Sequence, residues 1–412
     1  MIFINKKNKT DLLVFIFFSA FPIAMLAGNL LINLFIFIIA VLFIFKLFTK
    51  KANLNTQKKN FYILLFFFIS LCVNLIFTND IYLSYPRVVK FFFVIFFIIA
   101  FSHLIQNYYQ NLENIFKVWS IILLIVIFDL AIEFSFGKNM FGQKAIMPGR
   151  LGSFTGQESV IGGFFLGFCL IFLSYIYKRN TNIKLNLLLA ISLVLISFLI
   201  GERANFIKTF IAIMIYTFFV YRVNLKIKFF SLVLILCLIY PIFLTLNNDY
   251  KERYLNQIIT IFDQKSLTKY LENSKYGAHR NVAKEIFLDN PVFGVGIKNF
   301  RNESANQKYD NLDHKKNYLR VANHPHELYY EFLSETGLFG LISFLIFIFT
   351  SIILSLKNYI KKKNIYQLSG LIIIFVSILP VIPIGGFLST YTSSIFWINY
   401  AIMVGYNDVD EN

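Results

Sequence analysis

The sequence predicts an all-α integral membrane protein of about 12 transmembrane helices, with one large external loop between spans nine and ten. Three observations carry this. Hydrophobic residues make up 57% of 412 positions against 15% charged, a balance that excludes an ordinary soluble domain. The apolar residues gather into runs close to the ~20 residues needed to cross the hydrocarbon of a bilayer. Between the runs, Lys and Arg recur at every second end, as short loops on the cytoplasmic side do. The net charge of +17 therefore reports topology. Its basic residues sit in short clusters and not along one face, so no nucleic-acid partner is implied.

The spans, in order, are residues 11–27, 30–48, 61–77, 88–105, 116–134, 160–177, 185–200, 204–221, 227–246, 338–356, 367–384 and 394–406. The first run lacks a small-residue cleavage site and is followed at once by another, so it reads as a retained helix. Only Gly28-Asn29 separates the first two, which leaves a re-entrant pair as the alternative. Cys72, Cys169 and Cys237 all lie in apolar runs, where free Cys behaves as a small hydrophobe, and no disulfide framework follows. The Phe-rich stripes read as lipid-facing or packed surface.

Orientation follows from alternate ends that hold Lys6, Lys7 and Lys9; Lys50, Lys51, Lys58 and Lys59; Lys178, Arg179 and Lys184; Arg222, Lys226 and Lys228; and Lys357 and Lys361–Lys363. The opposite short ends are poor in basic residues, so both termini are expected in the cytoplasm. The chain then divides into spans one to nine (1–246), an external loop domain (247–337), and spans ten to twelve with a cytoplasmic tail (338–412).

The loop is where chemistry concentrates. Ala278, Val282, Ile286 and Phe287 recur at helical spacing, with Arg280 on the polar flank and Asn290-Pro291 as the stop. A glycine-punctuated turn, Val292-Phe293-Gly294-Val295-Gly296, follows. Asn323-His324-Pro325-His326-Glu327 then leads into a second helix. Pro325 suits the first helical position, which would put His326 in the first turn, where the helix dipole favours an anion and a neutral imidazole. A neutral His beside an anion site is a usable proton acceptor. Two lookalikes fail. Gly294-Val295-Gly296 lacks the third glycine and the surrounding βαβ unit of a dinucleotide site, and His324 and His326 are two apart, not at the four-residue spacing of zinc proteases. Neither a metal nor another cofactor is implied.

Arg280, Asn290-Pro291-Val292-Phe293-Gly294-Val295-Gly296, His324-Pro325-His326-Glu327-Leu328-Tyr329 and Glu335-Thr336-Gly337-Leu338-Phe339-Gly340 together resemble the signature of the O-antigen ligase and polymerase family. Order and spacing of several blocks agree, with Glu327 standing where members often carry Asn. Gly201-Glu202-Arg203, in the hairpin between spans seven and eight, is similar to the Arg-bearing hairpin of that family. The loop from Pro148 to Glu158, with Arg150, resembles its Gly- and Phe-rich loop, although Ser153 and Glu158 depart from the usual Gly and Asn-type residues.

The resemblance implies a metal-independent, inverting glycosyltransferase of the bacterial cytoplasmic (inner) membrane with its site facing the periplasm. Its donor would be a polyprenyl-diphosphate-linked glycan and its acceptor lipid A-core or another glycan. Arginine forks suit phosphate oxygens, so Arg203 and Arg280 are expected as diphosphate ligands with Arg150 as a third. His326 is the expected base, with His324, Glu327 and Glu158 in possible support. Asp129 and Glu133, four apart near the external end of span five, need partners at that depth, such as Arg87 or Arg150, or a proton. A ligase and a polymerase share this signature and differ in acceptor. A lipid-glycan transporter would instead show broken helices and paired repeats around a midplane site, whereas the singled-out residues gather at one end of the bundle.

Overall fold

The computed structural model describes residues 9–52, 54, 58–158, 160–221, 224–246, 248–252, 254 and 273–407. Lys6, Lys7, Arg222, the 255–272 part of the long loop and residues 408–412 lie outside these described residues. Regular structure among the described residues is helical: α1 (Lys9–Ala27), α2 (Asn29–Phe48), α3 (Lys58–Ile76), α4 (Ile81–Asn107), α5 (Tyr109–Phe136), α6 (Ile161–Arg179), α7 (Ile183–Leu199), α8 (Arg203–Val220), α9 (Leu225–Thr245), α10 (Lys275–Asp289), α11 (Leu328–Lys362), α12 (Ile365–Ser377) and α13 (Thr390–Gly405). Every predicted span carries a helix. Eight of them, α1 to α6 with α8 and α11, are long and apolar enough to cross a membrane, and α7 and α12 are shorter apolar helices. The fold is that of a polytopic membrane protein.

Lipid cannot satisfy polar groups, so those inside the bundle find partners within it. Trp119 donates its indole N–H to the Phe18 carbonyl at 2.9 Å, tying α5 to α1. Lys46 of α2 forms an ion pair with Asp11 of α1, both buried. Asn60 reaches the Val404 carbonyl at 3.2 Å and Gln367 the Met403 carbonyl at 3.1 Å, which join the basic ends of α3, α12 and α13. Aromatic rings fill the centre: Phe67 stacks on Phe347 at 4.9 Å, and Phe347 on Tyr400 at 5.3 Å. Elsewhere, Phe37, Phe66 and Phe128 face outward.

One predicted span is shorter than expected. In place of a helix through residue 384, α12 stops at Ser377, and residues 378–389 form an irregular loop before α13. Pro380 and Pro383 cannot donate to a helical ladder, and Gly385-Gly386 adds two poor helix formers. The loop folds back over the start of α11. Ile384 donates its N–H to the His326 carbonyl at 3.1 Å, and the Tyr329 hydroxyl donates to the Ile378 carbonyl at 2.7 Å.

The segment after α9 has a small apolar core of its own, Val282, Ala283, Ile286, Val295, Phe300 and Tyr309. Two of the sequence blocks interlock through their backbones. Val295 and Gly296 donate to the Ser334 and Glu335 carbonyls at 3.0 and 2.8 Å, while Leu338 and Phe339 donate to Pro291 and Val292 at 2.9 and 3.0 Å. Gly337 makes this approach feasible: its φ is +63°, and a Cβ there would lie 2.3 Å from the Val292 oxygen. The same residue breaks α11, so the helix enters its span at Leu338. Asn74 then anchors the turn by donating to the Phe293 carbonyl at 2.7 Å, and Phe77 stacks on Phe293 at 3.8 Å.

Candidate active site

A cavity of about 470 Å³ opens at the end of the bundle opposite the Lys-rich connections. It lies among the N-terminal ends of α6, α8, α10 and α13, the His324–His326 turn and the 378–389 loop. Arg150, Glu158, Arg203, His324 and His326 all line it, although they are spread over 177 positions of sequence. Lys208, Lys275, Tyr276 and Tyr391 also line it, and the sequence pattern had singled out none of these.

The two arginines are placed by adjoining loops. Arg203 is the first residue of α8, and its neighbour Glu202 accepts from the Gly162 N–H at 2.9 Å and from Asn205 at 2.6 Å, locking the α7–α8 hairpin to the start of α6. Arg150 rides on a loop whose Leu151 N–H donates to the Ile200 carbonyl at 3.0 Å. Gly149 and Gly201 abut so closely that a Cβ on Gly201 would lie 2.0 Å from the Gly149 oxygen.

Asp129 and Glu133 hold that loop from beneath. Glu133 accepts the N–H groups of Gly152 and Ser153 at 2.9 and 2.6 Å, while Asp129 accepts the Ser153 hydroxyl at 2.6 Å and the Met140 N–H at 2.7 Å. Both acids are buried and serve as backbone anchors. Glu158, at the end of the same loop, is exposed at the cavity rim.

The histidine turn departs from the expected geometry. Pro325 does not open the helix: α11 begins at Leu328, and Glu327 is its N-cap, accepting from the Tyr330 N–H at 2.9 Å. His326 precedes the cap with φ of +60°, a left-handed conformation rare for a non-glycine residue and most often retained where function requires it. The dipole argument for a neutral His326 therefore lapses, and burial takes its place. Desolvation, followed by His279 and Lys275, pushes the His326 imidazole down to about 4. His324 is pushed down to about 3 by burial and then by His326. Their rings lie 4.0 Å apart, and His279 stacks on His326 at 5.2 Å. His279 is buried and likewise shifted down by desolvation. Among the described residues no group of three His, Cys, Asp or Glu side chains is arranged to hold a metal ion.

Arg280 sits one layer behind the cavity. Half-buried on α10, it donates from Nη2 to the Val381 carbonyl at 3.0 Å and is not part of the cavity wall. Glu331 supports the same loop, accepting the Phe387 N–H with both carboxylate oxygens at 3.0 Å. Glu327 is likewise a structural cap outside the wall.

The site thus offers two guanidinium groups, two amines, two neutral imidazoles and an apolar floor of Leu166, Ile395 and Phe396. Such a set can bind a polyanion attached to a lipid and take a proton from a nearby hydroxyl. A search of curated proteins found no match. Residues 187–345, which carry Arg203, Arg280, His324 and His326, match the family model described as O-antigen ligase.

Proposed function

We propose that this protein is an O-antigen ligase-type glycosyltransferase of the bacterial inner membrane, moving a glycan from polyprenyl diphosphate to an acceptor hydroxyl on lipid A-core or a similar glycan. The observation that carries this reading is the convergence of Arg150, Arg203 and His326 on one cavity at the end of the bundle away from the Lys-rich connections. That end faces the periplasm if the basic connections are cytoplasmic.

The acceptor oxygen attacks the anomeric carbon as the bond from that carbon to the diphosphate oxygen breaks, with inversion. His326 takes the hydroxyl proton. Negative charge grows on the departing diphosphate, where Arg203 and Arg150 stabilise it most. Arg280, Glu331, Asp129 and Glu133 act one step back by fixing the loops. No step calls for a nucleotide or a metal, because the diphosphate is already an activated leaving group.

Deleting the gene and examining both surface and carrier-linked glycans tests the reading. A lost ligase leaves long chains stranded on the polyprenyl carrier. Acceptors bearing a single repeat unit would instead identify a polymerase. Unchanged glycans of both kinds would refute either activity.

A further inference from the structure

Lys208 has no role in the machinery described so far, yet it is the most unusual cation in the site. It lies on α8 five residues beyond Arg203, which places it about 7.5 Å further along the helix and into the membrane. Its side chain is 3% exposed and lines the cavity. Among the described residues it makes no hydrogen bond or ion pair, and no charged neighbour acts on it. The carboxylate at the N-cap of the same helix, Glu202, is engaged by Gly162 and Asn205. The walls at that depth are apolar, with Leu166, Ile395 and Phe396. A buried ammonium without a counter-charge is costly, and such residues in membrane spans usually mark a ligand path.

We propose that Lys208 binds the phosphoryl group that is esterified to the polyprenyl chain, the deeper of the donor's two phosphates. This rests on the lipid-diphosphate reading of the site. A donor with its glycan towards water and its tail in hydrocarbon must place its lipid-side phosphate below its glycan-side phosphate. Arg203 and Arg150 at the mouth match the upper group, and Lys208 matches the lower. The breaking bond joins the anomeric carbon to the upper phosphate, so the charge that develops during reaction appears there. Lys208 therefore holds substrate, transition state and product almost equally, and such uniform binding affects KM and not kcat.

Lys208→Met keeps the length of the side chain and removes the charge. With purified protein and a lipid-linked donor, the donor KM and the inhibition constant for polyprenyl diphosphate should both rise about 10- to 100-fold, the range for a lost charge-assisted hydrogen bond. Turnover at saturating donor should change by less than about threefold. Inhibition by polyprenyl monophosphate should weaken to a similar extent, because its single phosphate is the one esterified to the chain. Lys208→Arg should recover part of the loss and covers the case in which the Met variant does not fold. Unchanged KM and inhibition constants, a fall in kcat alone, or undiminished inhibition by polyprenyl monophosphate would overturn the assignment. A wild-type protein that does not use a lipid-diphosphate donor at all would overturn the functional reading itself, a result distinct from an active enzyme indifferent to Lys208.

Discussion

Arg280 donates to the carbonyl of Val381 at 3.0 Å, and Val381 is a β-branched residue held at φ of +72°. A left-handed valine costs on the order of 1–3 kcal/mol and persists only where its surroundings enforce it. The guanidinium thus stabilises a strained loop whose neighbours Pro383, Ile384 and Gly385 form part of the cavity wall.

This relationship separates two roles for Arg280. Arg280→Ala should lower activity by about tenfold, and adding Val381→Gly, which relieves the strain, should recover part of it. Arg203→Lys should be more damaging than Arg280→Lys, because a bidentate phosphate contact needs the fork whereas a carbonyl accepts from either cation. No recovery in the double variant, measured as donor turnover at matched membrane abundance, would return Arg280 to direct diphosphate binding.

Glu133 and Asp129 should behave as anchors of the Arg150 loop. Glu133→Leu leaves two buried N–H groups without an acceptor, at about 1–3 kcal/mol each. The variant should melt earlier and show a raised donor KM through misplaced Arg150. An unchanged melting temperature with activity lost would point instead to a direct part for this carboxylate.

Much of the fold was legible because apolar runs at spanning length have few alternatives, and each predicted run carries a helix. The 378–389 loop was misread for a local reason: Ile378, Leu379, Val381 and Ile384 continue the apolar run, while the partners that bend it, Arg280 and Glu331, lie elsewhere in the chain. The helix start near His326 was misplaced because Pro325 is a strong start signal, whereas Glu327 is not among the preferred N-caps. His279 and Lys208 belong to no motif or basic cluster that the sequence pattern picks out. Only the folded chain brings them to the site.

Gly337 should tolerate no side chain. Gly337→Ala places a methyl 2.3 Å from the Val292 oxygen at a positive φ, so the two interlocked blocks must separate. Loss of folded protein is expected, read as reduced abundance after mild detergent extraction. Normal abundance and activity would mean that the interlock is dispensable.

The proposed orientation is open to direct measurement. A reporter active only outside the cytoplasm should signal when fused at Asn306 and stay silent at Lys363. The reverse pattern would remove the periplasmic site and the acceptor chemistry that depends on it.

His326 gives the sharpest test, because its protonation should depend on the donor. In the free protein its imidazole lies near 4, below the ordinary 6.5, so it is neutral through the physiological range. The unfolded chain takes up a proton between those values and the folded chain does not. The resulting stability is therefore fully present above about pH 6.5 and is lost as pH falls towards 4. An imidazole near 4 is available but weakly basic. A bound diphosphate places negative charge in the same cavity and should raise it towards neutrality, improving the base only when donor is present. The acid limb of kcat/KM, which reports free enzyme, should accordingly lie well below 6.5, and the limb of kcat should lie higher. His326→Ala should lower turnover by roughly a hundred- to ten-thousand-fold with donor binding little changed, and His324→Ala should be milder. Normal turnover in His326→Ala, or matched losses of binding and turnover, would move the base elsewhere in the cavity, with Glu158, exposed at the rim, the carboxylate to test next.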